Sequence, residues 1–225
     1  MILFHLLNRG VDKRTIFLDE TDYVRFVHDL FEFNDSANVN SNNTRRFQIL
    51  DVGRPVFGEK RHKRKLLVQI HAFCLMPNHY HLLVSPSIDN GISLFMKKLN
   101  GGYAKYFNER RNRSGALFQG KYKAVPIKSD PHFSWIPYYI HFNPLDLIMP
   151  EWRERDIKNP KEAERYLETY RWSSHFDYLG KKNFPSLTQR EFLLDFFDGE
   201  DGYARSIPKM LKSFSVDAGK QCSLE

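Results

Sequence analysis

Residues 66–86, LLVQIHAFCLMPNHYHLLVSP, constrain this chain's fold more than any other stretch. Two apolar, strand-forming runs, 66–76 and 79–85, are separated only by Pro77 and Asn78. So short a link, with Pro-Asn turn chemistry, joins antiparallel neighbours and cannot be a crossover. The near-continuous apolar character marks both runs as buried strands. The second run begins His79-Tyr80-His81. Side chains at i and i+2 of a strand point the same way, so the two imidazoles share one face and Tyr80 takes the other. Such a face either holds a metal or simply packs, and imidazoles need further ligands to hold one.

The remaining elements organise around this hairpin. Residues 2–8 read as a mostly buried strand ended by Asn8-Arg9-Gly10. Residues 19–34 carry acidic residues early and apolar ones at helical spacing. A polar loop follows at 35–44, then an irregular segment at 45–65 that ends in the charge run EKRHKRK. That run is either a solvated loop or an arm that contacts phosphates. Residues 90–108 repeat apolar side chains at three and four, with Gly101-Gly102 weakening the middle of the helix. A basic loop leads to a strand at 122–128. A further helix is capped by Ser129 or Asp130, carries Pro131 in its first turn and ends near Phe142. Short helices fall within 158–170 and 186–197. The expected fold is α+β: a ferredoxin-like β-α-β-β-α-β antiparallel sheet with helices on one face, then one more helix and a helical C-terminal tail. The expected division is 1–148 for the sheet unit and 149–225 for the tail.

Composition narrows the class. The chain has 225 residues, a formal net charge of +7 and two cysteines, Cys74 and Cys222. A basic surface favours polyanions. Two thiols make neither a disulfide framework nor a zinc site. No apolar run approaches the roughly 20 residues that span a bilayer, and MILFHLL is too short for a signal peptide. A cytoplasmic protein without a membrane partner is expected.

The helix ending near Phe142 adds chemistry. Tyr139 and Asn143 are four apart and share a face. Both can point at the histidine pair. The amide oxygen is a hard donor, and a His79, His81, Asn143 set suits Mg²⁺ or Mn²⁺, leaving Tyr139 free as a nucleophile. The plainer alternative is an aromatic core helix with Tyr139 buried against the sheet. Tyr138 shares no face with Asn143 and is the structural tyrosine. A zinc site using His71 as well lacks a Cys or acidic partner at a telling spacing.

Five stretches in order carry a family resemblance: FHLLNRGVDKRTIF, HAFCLMPNHYHLLV, ALFQGKYKAVPI, YIHFNPL and YRWSSHFDYLG. Together the chain resembles the single-tyrosine HUH transposases, and more closely their domesticated branch, the REP-associated tyrosine transposases, over roughly residues 4 to 180. The resemblance implies His79 and His81 as the HUH histidines, Tyr139 as nucleophile and Asn143 as third metal ligand. It implies cleavage and rejoining of hairpin-bearing single-stranded DNA through a 5′-phosphotyrosine, with Mg²⁺ or Mn²⁺. Arg9, Arg110, Arg111, Arg113, Lys121 and Lys123 flank this site in sequence and are the expected DNA contacts. A bacterial, nucleoid-associated location is expected, and a monomer in preference to a homodimer. Three departures stand out: Pro137 should kink the tyrosine helix or shift its start, residues 35–65 make a long link, and NPLDLIMP replaces the Arg-containing segment usual after Asn-Pro. The alternative is a catalytically impaired single-stranded nucleic-acid-binding protein of the same fold.

Overall fold

The structure is a computed structural model that describes residues 2–37 and 64–216. The expected loop at 35–44 and charged segment at 45–65 lie outside the described residues except for 35–37 and 64–65. The order is β1 (Phe4–Arg9), α1 (Glu20–Glu32), β2 (Val68–Met76), β3 (His79–Pro86), α2 (Gly91–Arg110), β4 (Lys123–Pro126) and α3 (Asp130–Phe142). The sheet runs β2-β3-β1-β4 with every neighbouring pair antiparallel. This is the split βαβ arrangement expected, with β3 and its histidines inside the sheet. Among the described residues no helix is long and apolar enough to cross a membrane.

One face of the sheet packs on α1 and α2. Leu6, Phe73, Leu75, Tyr80, Leu82 and Val84 meet Phe26 and Leu30 from α1 and Phe95, Leu99 and Tyr103 from α2. Asp19 caps α1 by accepting from the Asp22 amide. Gly102 in α2 lies where the Phe33 ring fills the space a Cβ would need. The helix weakness expected at Gly101-Gly102 thus has a packing reason at the second glycine: it lets two helices approach.

The other face is covered by α3 and the tail. A β-bulge at His71 shifts the register of β2 against β3 between Ile70 and Ala72. It switches parity, so Ile70 and Phe73 share the α1–α2 face while Ala72, Cys74 and Met76 turn to the other. Those three and Leu83 pack with Ile136, Ile140 and Phe142 of α3 and with Trp152, Leu167, Tyr178 and Tyr203 beyond it. The tail comprises α4 (Pro160–Leu167), α5 (His175–Tyr178), α6 (Glu191–Phe196) and α7 (Gly199–Val216). Only α4 and α6 match helices expected from sequence. α7 was not expected, although Tyr203, Ile207, Leu211 and Phe214 are spaced at four, four and three and are all buried. Pro208 inside it obscures the signal without ending the helix.

The Trp172-Ser173-Ser174 segment is structural. It lies along the outer edge of β2, with the Leu75 amide donating to Trp172 O and the Ser174 amide to Phe73 O, so the edge strand is covered. Ser174 Oγ lies 2.7 Å from His141 Nε2, and Tyr203 Oη lies 2.6 Å from His141 Nδ1 and 2.8 Å from His175 Nδ1. This buried network ties α3, the edge segment and α7 together. Burial lowers the His175 pKa from 6.5 to about 3 and holds His141 well below its ordinary value. Unfolded, both imidazoles titrate near their ordinary value, so the unfolded chain binds more protons between pH 6.5 and about 3. Their contribution to stability is complete above that window and is lost as pH falls through it. Thermal melts in chelator should show Tm falling steadily from neutral pH to about pH 4. A flat profile would contradict the buried neutral network.

Candidate active site

β3 carries both histidines onto the face shared with α3. Direct cross-strand partners share a face, so the register defines what surrounds them. Met76 and Arg9 flank His79; Cys74 and Leu7 flank His81. Lys123 of β4 extends the His81 row beyond Leu7. Both imidazoles are buried, and Nε2 of each has no hydrogen-bond partner. Burial, then Arg9, lowers the His79 pKa to about 4; burial, then His5 and His79, holds His81 well below its ordinary value. Both rings are therefore neutral at pH 7.

Their tautomers follow from their neighbours. Asn78 Nδ2 donates to Lys13 O, which turns its Oδ1 to His79 Nδ1 at 2.5 Å. That nitrogen must donate, leaving a lone pair on His79 Nε2. His81 Nδ1 lies 2.8 Å from His5 Nε2. A proton on His81 Nε2 would be a buried donor with no acceptor, costing about 1–3 kcal/mol. With Nδ1 as donor to His5 instead, Nε2 again presents a lone pair. Two neutral, orphaned imidazole nitrogens on one face fit a divalent ion.

α3 brings the rest. The cap expected at Ser129 is present, accepting from the His132 amide, and Pro131 lies in the first turn. Pro137 lies inside the helix and does not shift its start: α3 runs from Asp130 through Phe142. The Tyr139 ring stands edge-on to His81 and His5, with centroids 5.6 and 5.7 Å away. Tyr139 is half-buried and packs against the second core, while Tyr138 is 7 % exposed and packs on Phe142 and Phe197. Asn143 closes the helix, fully buried. Its Nδ2 donates to Tyr139 O at 2.6 Å, and its Oδ1 accepts from Arg153 Nη2 at 2.8 Å. Among the described residues no three His, Cys, Asp or Glu side chains are placed to share an ion. Asn143, the third ligand expected from the sequence, meets Tyr139 and Arg153 through its side-chain amide. His71 lies apart, bonded to Ser85 Oγ and Gln189 O.

The six expected basic contacts divide. Arg9 sits opposite His79 with its Nε buried and unpartnered, and Lys123 and Lys121 are exposed at and just before β4. Arg110 and Arg111 lie on the α1–α2 layer across the sheet. There they form a tight ion cluster with Asp19 and the fully buried Asp22, joining the end of α2 to the start of α1. Arg113 bonds Asn108 Oδ1 and Ala116 O, pinning the turn after α2. Sequence reasoning missed His5 and Arg153. His5 is a polar residue inside an apolar strand, a usable signal. Arg153 reaches the site through two 3₁₀ turns, Asn143–Leu147 and Pro150–Glu154, and no local spacing announces it.

Residues 57–143 match the family model described as "Transposase IS200 like". No curated protein matches the sequence. A solved structure described as a REP-associated tyrosine transposase bound to a REP hairpin is 14% identical, covering 81% of this chain and 82% of that one, with a TM-score of 0.46. The matched segment holds His79, His81, Tyr139 and Asn143 together, and over it this chain is similar to the IS200-like transposases.

Proposed function

We propose that this protein cleaves and rejoins single-stranded DNA by transesterification at Tyr139. The observation that carries the reading is the Tyr139 ring standing edge-on to His81 beside two buried, unpartnered imidazole nitrogens. Such nitrogens are costly in a purely structural site and useful in one that takes a cation. The match to the IS200-like transposase family over the same residues supports it.

In the reaction the Tyr139 oxygen attacks the scissile phosphorus. The Tyr139 O–P bond forms and the P–O3′ bond breaks, giving a 5′-phosphotyrosine and a free 3′-OH. The phenol gives up one proton and the 3′ oxygen takes one up. The phosphoester is conserved, so a 3′-OH can reverse the step and join strands. A Mg²⁺ or Mn²⁺ ion held by His79, His81 and Asn143 would polarise the phosphoryl group and steady its developing charge. Arg9, Lys121 and Lys123, at or near β1 and β4, would line the approach and hold the backbone. Arg110 and Arg111 would act by tying α2 to the start of α1, and Arg113 by fixing the turn that leads from α2 to β4. The tail past residue 148 would serve as the scaffold that sets α3 over β3. A hairpin-bearing strand is the proposed substrate on the strength of the five motifs, with the protein acting as a monomer at the nucleoid.

The test is direct. The full chain is incubated with a pool of 3′-labelled single-stranded hairpins carrying randomised flanks, with Mg²⁺, Mn²⁺ or EDTA, and resolved on denaturing gels. A protein-linked label with either metal, and none in EDTA, is expected. Tight binding without adduct in every condition would leave a binding protein of this fold.

A further inference from the structure

Every nitrogen of the Arg153 guanidinium is engaged within the site. Nε and Nη2 fork onto the Asp146 carboxylate at 2.8 and 2.6 Å. Nη2 also donates to Asn143 Oδ1 at 2.8 Å, and Nη1 donates to Tyr139 Oη at 3.0 Å. The charge lies 5.3 Å from the Tyr139 ring centroid and 4.9 Å from that of Trp152. Asp146 is itself tethered to the core, accepting from Nε1 of the buried Trp152 at 2.7 Å. The Arg153 side chain remains 36% exposed, within reach of a ligand.

We infer that Arg153 is a catalytic residue of this site: its guanidinium stabilises the Tyr139 oxygen as it attacks and yields Asn143 Oδ1 to the divalent ion. The inference rests on the reading of Tyr139 as nucleophile. An arginine cannot accept the phenol's proton, because it stays charged. Its N–H is already aimed at the reacting oxygen, however, and a fixed positive charge there opposes the negative charge that grows as phosphorus becomes five-coordinate. The same guanidinium occupies the one amide oxygen that the histidine pair would need as a partner. The guanidinium's positive charge at that oxygen repels a second cation, so metal binding there favours Arg153 turning away, and the incoming phosphate offers it new acceptors.

The two roles predict opposite signs for one substitution. Arg153→Ala removes a cation and frees both Asn143 Oδ1 and the Asp146 carboxylate, so Mn²⁺ should bind more tightly, by about 10-fold. Adduct formation should fall by about 100-fold. Hairpin affinity should stay within about 3-fold, since the phosphate contacts are spread over other cations. Added guanidinium should restore part of the adduct rate in Arg153→Ala, and Asn143→Ala should erase the gain in Mn²⁺ affinity. A merely structural arginine would lower Tm, weaken metal and adduct together and resist rescue, which would overturn the inference. So would adduct at the wild-type rate or faster. The Mn²⁺ titration needs no DNA, so it judges Arg153's hold on Asn143 even if Tyr139→Phe still forms adduct; affinity unchanged or weaker in Arg153→Ala would sink it.

Discussion

Tyr139→Phe should form no covalent DNA adduct, a loss of at least about a thousandfold, while Tyr138→Phe keeps it. The substitution removes one oxygen and little else. The ring would keep its edge-on contacts with His5 and His81 and its packing against Trp152, whose ring centroid lies 6.0 Å away, so the fold has no reason to change. What disappears is the atom that would bond phosphorus and accept the Arg153 N–H. Hairpin affinity should therefore stay close to wild type. Tyr138 points the other way, into the second core with Phe142 and Phe197. Losing its hydroxyl should cost no more than about 1 kcal/mol of stability. Labelled adduct surviving in Tyr139→Phe would show that another nucleophile does the work.

The paired substitution His79→Ala with His81→Ala should abolish specific Mn²⁺ binding and adduct formation, each by at least about 100-fold. The informative control is stability. Nε2 of each ring is buried without a partner, so removing them also removes two unsatisfied groups. In chelator the double variant should still fold but melt lower, since the cavity and the orphaned His5 nitrogen outweigh the two unsatisfied groups removed. His5→Ala should weaken Mn²⁺ by about 10-fold only, because it acts through the Nδ1 of His81. Isothermal titration with Mn²⁺ and thermal melts in EDTA read both quantities. Unchanged Mn²⁺ affinity in the double variant would end the metal assignment.

The parts of this site that local periodicity governs were legible. The Pro77-Asn78 link dictated the hairpin, the two-residue strand period put His79 and His81 on one side, and the four-residue helix spacing put Asn143 under Tyr139. Each depends on neighbours within one turn or one strand. Arg110 and Arg111 show the opposite case. Their sequence neighbourhood suggested DNA contacts, but the packing of α2 on α1 places Asp19 and Asp22 against them, from 88 to 92 positions away. The bulge at His71 was hidden as well. One extra residue in β2 reverses which of its side chains face the site, and an almost wholly apolar run carries no alternation to reveal it.

By itself, then, the sequence determined the hairpin, the histidine face, the phenol–amide pair and the order of elements, because short-range geometry leaves those few choices. Tertiary structure alone decided that His5 orients His81 across 76 residues and that Arg153 grips Tyr139 and Asn143. Strand register and the path of the chain after α3 settle those contacts, and neither is written in the spacing of nearby residues.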